Sequence, residues 1–500
     1  MRSISKYEKE AKKLIKNYIK MLKREFSHYN GKKFSKDLMA GITVTAVALP
    51  LALAFGEACG ASASAGLVTA IIAGVVISIL SGASFQISGP TGAMSAVLVG
   101  VVAGFGLDGV FVVSLMAGIL VLLAAIFGLG RFVELIPKPV VTGFTSGIAL
   151  IIALGQVDNF FGTASVGEGA IEKLVYFLTN NLGNINISAV LTALIVVVIM
   201  VVWPKKWGAV VPSSLVGLIV ASVVSISLKL DVAVVGEIPK TIFLSERLNF
   251  ATVEWAKIGG YISPAISIAA LAMIESLLCG ASASKMKDEP FDANIELVAQ
   301  GVGNIIVPFF GGVPATAAIA RTSVAIKSGA VTRLCGVIHA LGLLLSMFLL
   351  APVMAKVPMS ALAGVLMVTA WRMNEWTEIK HFFKHKMGGA ISKFFITMIA
   401  TVVFDLTVAI VIGILYSAIF VFVKNGFKFK RLEVDVDGGL IRVKGPVFFG
   451  NDDRLLKTVK ALAEEGEVTL DVSEAIVADT TAKFTLDEIE SDLPSVTVVR

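Results

Sequence analysis

The chain has 500 residues, 56% of them hydrophobic and 16% charged, with a mean hydropathy of +0.85. Soluble globular chains run nearer about 45–50% apolar and about 25% charged, so the composition excludes a soluble enzyme and describes a polytopic helical membrane protein with a soluble tail. The formal charge of +6 gives no reason to expect a nucleic-acid partner, and the three cysteines, Cys59, Cys279 and Cys335, lie in or beside apolar segments, so no disulfide framework is implied.

Residues 1–37 carry twelve Lys/Arg against four Asp/Glu. Leu14, Tyr18, Leu22 and Phe26 recur every four residues, which predicts a basic amphipathic helix over Tyr7–Phe26 lying on a membrane surface. It reads either as a positive-inside anchor or as a lipid sensor. No small-residue cleavage site follows a short apolar core, so no signal peptide is expected.

Residues 38–424 form the membrane region. Apolar stretches fall near 38–56, 64–82, 87–104, 110–128, 138–157, 186–203, 208–228, 260–284, 293–310, 314–328, 331–352, 358–372, 387–403 and 406–424. With an N-terminus inside, the inner connections hold Arg131/Lys138, Lys205/Lys206, Lys285/Lys287, Lys327/Arg333, Arg372/Lys380/Lys384/Lys386 and Lys424/Lys428. The outer connections hold Asp158–Lys173 and Lys229–Lys257. That alternation obeys the positive-inside rule and places both termini in the cytoplasm, in a cytoplasmic membrane.

The third and tenth stretches are interrupted alike. Phe85-Gln86-Ile87-Ser88-Gly89-Pro90-Thr91-Gly92 and Phe309-Phe310-Gly311-Gly312-Val313-Pro314-Ala315-Thr316 each run extended and glycine-rich to a proline, where a short helix can begin. Each is third in its own set of seven. Matched broken segments of this kind point to an inverted-repeat transporter with its site at mid-membrane.

If the repeats are inverted, the two half-helices start face to face. Each start offers unpaired N–H groups and a positive dipole end, so the pair forms an anion receptor that needs no metal. The expected donors are Thr91, Gly92 and Ala93 on one side and Thr316, Ala317 and Ala318 on the other. Arg321, seven residues past Pro314, would add positive field, unless it snorkels to the cytoplasmic surface. Glu275, mid-span, would bind a cation, carry a proton, or pair with Arg321. Ser276 and Cys279 lie close by on the same helix. Asp405 reads as a turn residue, Glu57 and Asp108 as outer-end residues, and His339 as a packed or hydrogen-bonded histidine. No enzyme motif is present.

After Arg431, alternating strand-like runs in Leu432–Val447 precede a helical pattern over Asp452–Glu464. A strand at Val468–Val472, a helix over Thr480–Leu493 and a strand at Ser495–Val499 complete a small α/β domain over 432–500.

Thr43-Val44-Thr45-Ala46-Val47-Ala48-Leu49-Pro50-Leu51-Ala52-Leu53-Ala54-Phe55 resembles the first span of the SulP inorganic anion transporters, the family of the prestin- and pendrin-like proteins. Ile274-Glu275-Ser276-Leu277-Leu278, Asn294-Ile295-Glu296-Leu297-Val298-Ala299-Gln300-Gly301 and Pro314-Ala315-Thr316-Ala317-Ala318-Ile319-Ala320-Arg321-Thr322 resemble its later signatures. Leu470-Asp471-Val472-Ser473 and Ala478-Asp479-Thr480-Thr481 resemble its STAS domain, here short of the usual final helices. The resemblance implies fourteen spans as a seven-plus-seven inverted repeat, usually dimeric. Spans 1–4 and 8–11 would form a core, and spans 5–7 and 12–14 a gate past which the core moves as an elevator. It also implies that Phe55, Thr91, Ala320 and Arg321 line the anion site and that Glu275, with Cys279 nearby, couples transport to Na+ or H+. Leu51 and the small Thr91 resemble the bicarbonate-transporting bacterial branch; other members move sulfate.

The expected function is therefore secondary transport of bicarbonate or sulfate, with Na+ or H+ as coupling ion and an unknown cytoplasmic partner for the tail. Two alternatives stay open. A nucleobase transporter shares the architecture but lacks a STAS tail, and an anion channel or membrane sensor would signal through that tail.

Overall fold

The computed structural model describes residues 2–130, 136–167, 170–204, 211–404, 406–424, 432–448, 451–463, 466–477, 480–493 and 495–499. Arg131, Lys205, Lys206, Asp405, Lys428, Ala478 and Asp479, each assigned a place above, lie outside them, as do the side chains of Lys285, Lys424 and Thr480. The chain divides into two compact units, Met1–Gly130 with Ile148–Met373, and Arg131–Gly147 with Asn374–Arg500.

In the first unit the longer helices are α1 (Arg2–Glu25), α2 (Gly31–Ala58), α3 (Ala63–Leu80) and α4 (Gly92–Ile126), then the later part of α5 (Lys138–Gly155). There follow α6 (Ile187–Val202), α7 (Ser213–Ser227), α8 (Ile258–Lys287), α9 (Ala293–Ile306), α10 (Ile319–Lys327), α11 (Leu334–Met354) and α12 (Met359–Met373). Every apolar stretch of this region contains a helical segment. The third and fourth share α4, which breaks at Gly106, whose φ of 67° and ψ of −169° suit a residue without a side chain. Among the described residues seven helices are long and apolar enough to cross a membrane, and five further apolar helices are shorter. α10, nine residues long, is too short to cross alone.

The starts of α2 and α3 are capped locally. Asn30 accepts from Lys33 N at the start of α2, and Ser62 accepts from Ala65 N at the start of α3, where Glu57 also accepts from Ala63 N at 2.7 Å. Asp37, fully buried, accepts from Val331 N, Thr332 N, Thr332 Oγ1 and Tyr29 Oη at 2.6–3.0 Å. Burial and the neighbouring Asp37 carboxylate push the Tyr29 phenol up to about 12, so it stays a donor.

The second unit contains the first residues of α5, then α13 (Trp376–Lys384), α14 (Gly388–Val403) and α15 (Leu406–Lys424). Its tail has strands β3 (Glu433–Asp437), β4 (Leu440–Val447), β5 (Val468–Asp471), β6 (Ala475–Val477) and β7 (Val496–Val499), and helices α16 (Asp452–Ala463) and α17 (Thr480–Asp492). β3 pairs antiparallel with β4, while β4–β5, β4–β6 and β5–β7 are parallel. Ile441, Val443, Leu455, Val459, Leu470, Leu486 and Ile489 form its core. The elements match the tail's sequence pattern, apart from β6, a three-residue strand too short to show a period.

Candidate functional site

Two short extended segments cross. β1 (Ser88–Gly89) pairs antiparallel with β2 (Thr316–Ala317), Ser88 opposite Ala317 and Gly89 opposite Thr316. Ala318 N donates to Ile87 O, and Ile87 N to Thr322 Oγ1, both at 3.0 Å, so the two leads satisfy one another's backbone where no water would.

A polar stripe on α9 fixes both leads. Glu296, Gln300 and Asn304 are all buried and stand four residues apart on one face. Glu296 Oε2 accepts from Ser81 Oγ and Gly82 N, and Gln300 Nε2 donates to Glu296 Oε1 and to Ser88 Oγ at 3.1 Å. Asn304 exchanges two hydrogen bonds of 2.8 Å with the backbone of Ala315. Glu296 and Gln300 stand in a segment singled out above only for its resemblance, and Asn304 is not singled out there at all; the sequence signal for all three is their four-residue spacing on one face of a largely apolar helix.

α4 starts at Gly92 with Thr91 as its N-cap, but the Thr91 side chain makes no capping bond. Its hydroxyl donates instead to Glu275 Oε2 at 2.9 Å. The first-turn N–H groups of Gly92, Ala93 and Met94 thus receive no acceptor from the cap, which an N-cap threonine usually offers to the second or third of them. A Cβ on Gly92 would run into Phe55 and Ile152, so this helix start sits hard against the buried Phe55 ring.

The second helix start differs from the expectation. α10 begins at Ile319, with Ala318 as N-cap, not at Pro314. Thr316 and Ala317 belong to β2, the Ala318 N–H is spent on Ile87, and Thr316 Oγ1 bonds Ala272 O at 3.2 Å. Pairing with β1 holds the chain extended past the proline. The first-turn donors on this side are therefore Ile319, Ala320 and Arg321, because Thr322 N already bonds Ala318 O. Ala320 is exposed, whereas Thr316 and Ala317 are buried.

Arg321 does not snorkel. It is 1% exposed, and its Nη2 donates to Pro90 O at 3.0 Å across the crossing. Among the described residues its Nη1 has no hydrogen-bond partner, and a Cβ on Gly89 would collide with that nitrogen. Among the described residues no ion pair within 4 Å joins Arg321 to Glu275, so the two charges are held apart by separate partners. Cys279 Sγ faces Thr322 Oγ1 at 3.4 Å, one turn beyond Glu275, and Gln86 Nε2 donates to Ser276 O. His339 is packed but not hydrogen-bonded through its ring, since neither ring nitrogen has a partner among the described residues. Among the described residues no group of three or more His, Cys, Asp or Glu is arranged to hold a metal ion.

Two helix starts, an arginine with an unused donor and a carboxylate therefore converge around one crossing, where an anion and a small cation can each find complementary charge. The pattern of the sulfate permease family matches residues 34–400. YvdB of Bacillus subtilis, named for sulfate transport, is 36% identical over 447 residues, 86% of this chain and 83% of that protein. The bicarbonate transporter BicA of a Picosynechococcus strain is 32% identical, over 86% of this chain and 76% of its own. The solved transmembrane domain of a cyanobacterial BicA superposes with a TM-score of 0.69 at 29% identity, covering 78% of this chain and 98% of that one. With that fold and these relatives, the chain is a multi-pass membrane transporter, not an enzyme, and it belongs to the sulfate permease family.

Proposed function

We propose that the protein is a secondary transporter of bicarbonate or sulfate that couples anion movement to Na+ or H+ through Glu275. One observation carries this reading: the crossing of β1 and β2 brings the start of α4, the start of α10, Arg321 and Glu275 to one place. The anion sits against the N–H groups at the two helix starts, with Arg321 Nη1 as a third donor. Glu275 and the Thr91 hydroxyl offer hard oxygens to Na+, or Glu275 accepts a proton.

In this reading the apolar segments make fourteen spans, a seven-plus-seven inverted repeat with both termini cytoplasmic. The crossing rides in a core of spans 1–4 and 8–11 that moves as an elevator past a gate of spans 5–7 and 12–14, and the protein works as a homodimer. Residues 432–500 act as a STAS-like domain that meets a cytoplasmic partner. BicA, named for bicarbonate, and YvdB, named for sulfate, mark the two candidate anions.

Counterflow of labelled bicarbonate and labelled sulfate into proteoliposomes, with and without a Na+ or pH gradient, tests it. One anion should accumulate, and only with one gradient. Flux of both anions that ignores both gradients would overturn the coupling, as would a Glu275→Gln variant with undiminished gradient-driven uptake.

A further inference from the structure

We propose that α1 is a two-faced strap, locked by one face onto the ends of the membrane helices and docked by the other on an anionic lipid surface.

The locked face is specific. Glu25 and Arg333, both nearly buried side chains, form an ion pair of 2.8 Å, and Glu25 Oε1 also accepts the Arg333 backbone N–H at 2.6 Å. Arg333 Nη1 donates onward to Ile79 O and Ser81 O at the end of α3. Tyr18 Oη donates to the same Ile79 O at 2.6 Å, and the Arg333 guanidinium lies 5.5 Å from the centre of the Tyr18 ring. A guanidinium with this many fixed partners is a rivet between α1, the end of α3 and the start of α11. Every one of these contacts is to a helix end, so α1 lies at the level where the helices leave the apolar layer.

The opposite face is exposed among the described residues. Lys12, Ile15, Lys16, Ile19, Lys20 and Lys23 are exposed, Ile15 at 60% and Ile19 at 46%. At helical spacing they share an arc of about 140°. From Lys12 to Arg24 the chain has no acidic residue, and Glu25, the next one, turns inward to Arg333. Two isoleucines amid four lysines, on a helix held at the membrane boundary, complement an interface whose headgroups are anionic and whose depth is apolar. A water-facing helix would have no use for the isoleucines, and an acidic soluble partner would not need them beside the bilayer.

The strap thus joins the lipid surface to the ends of α3 and α11 through one buried ion pair. Hydrogen–deuterium exchange of the full chain in nanodiscs tests this without reference to any transported ion. In discs of phosphatidylcholine with about a third phosphatidylglycerol, amides of residues 12–25 should exchange severalfold more slowly than in phosphatidylcholine alone. High salt should erase the difference, because the attraction is screened. The quadruple variant Lys12→Gln, Lys16→Gln, Lys20→Gln, Lys23→Gln should exchange alike in both discs. Glu25→Gln should raise exchange in both discs and spread the increase to the start of α11. Equal protection in neutral and anionic discs overturns the lipid face, as does an undiminished lipid response in the quadruple variant. A Glu25→Gln effect confined to α1 overturns the strap.

Discussion

The Thr91 hydroxyl donates to Glu275 at 2.9 Å, across 184 residues of sequence, where an N-cap threonine would ordinarily accept from its own helix. One side chain thereby does two things. It holds the carboxylate, and by facing away it leaves the start of α4 without a side-chain cap. In the transport reading proposed above, the anion and cation sites would be linked at this hydroxyl, because a cation on Glu275 would change what Thr91 bonds.

Thr91→Val keeps the shape and removes the donor. A hydrogen bond to a charged group contributes about 1.5–3 kcal/mol, so gradient-driven uptake should fall roughly ten- to a hundredfold. Thr91→Ser should retain most of it. Initial rates in proteoliposomes against gradient size check this; a valine variant with wild-type coupling would remove Thr91 from the mechanism.

The first half of this site was legible in the sequence and the second was shifted. Pro90 is followed closely by the helix start at Gly92, as the extended lead and the proline predict. Pro314 looks the same, yet α10 waits until Ile319 because Thr316 and Ala317 pair with a strand more than two hundred residues away. Pairing at that distance leaves no local mark. Glu275 and Arg321 stood out because charge is rare in apolar stretches. Their separate partners, Thr91 and Pro90 O, are tertiary facts that composition cannot contain. The same holds for α1: its period announced an amphipathic helix, while the pairing of Glu25 with Arg333 needed the fold.

Arg321 should set anion affinity. Arg321→Ala removes the unused Nη1 donor and leaves Pro90 O without its partner, so the anion's dissociation constant should rise by roughly tenfold or more. Arg321→Lys keeps a charge but not the fork, and should fall between. Anion-dependent thermal stabilisation of the purified protein reads this directly, by mass action. Identical anion titrations for the alanine variant and the wild type would contradict it.

Gly89→Ala tests the same arginine without changing any charge. The added methyl occupies the space of Arg321 Nη1, so the guanidinium must turn away from the crossing. Anion affinity should drop nearly as far as in Arg321→Ala, and the double variant should be little worse than either single one, since both act on one group. Full additivity in the double-mutant cycle would show that Gly89 acts elsewhere.

Asn304 should matter for stability and not for charge. Its amide makes both hydrogen bonds to Ala315, with a third from Nδ2 to Gln300 O, and Asn304 and Ala315 are both buried. Asn304→Leu strands a backbone N–H and a C=O, each costing about 1–3 kcal/mol. Asn304→Asp still accepts from Ala315 N, but as a carboxylate it sets a buried charge against Ala315 O, so its loss should grow as pH rises and the carboxyl ionises. Thermal unfolding in detergent should therefore place the leucine variant below the wild type at every pH and the aspartate variant further below it at high pH than at low. Because Asn304 fixes the lead into β2, the leucine variant should also bind the anion more weakly at temperatures where it remains folded. A leucine variant that unfolds with the wild type would mean that the crossing of β1 and β2 holds without α9.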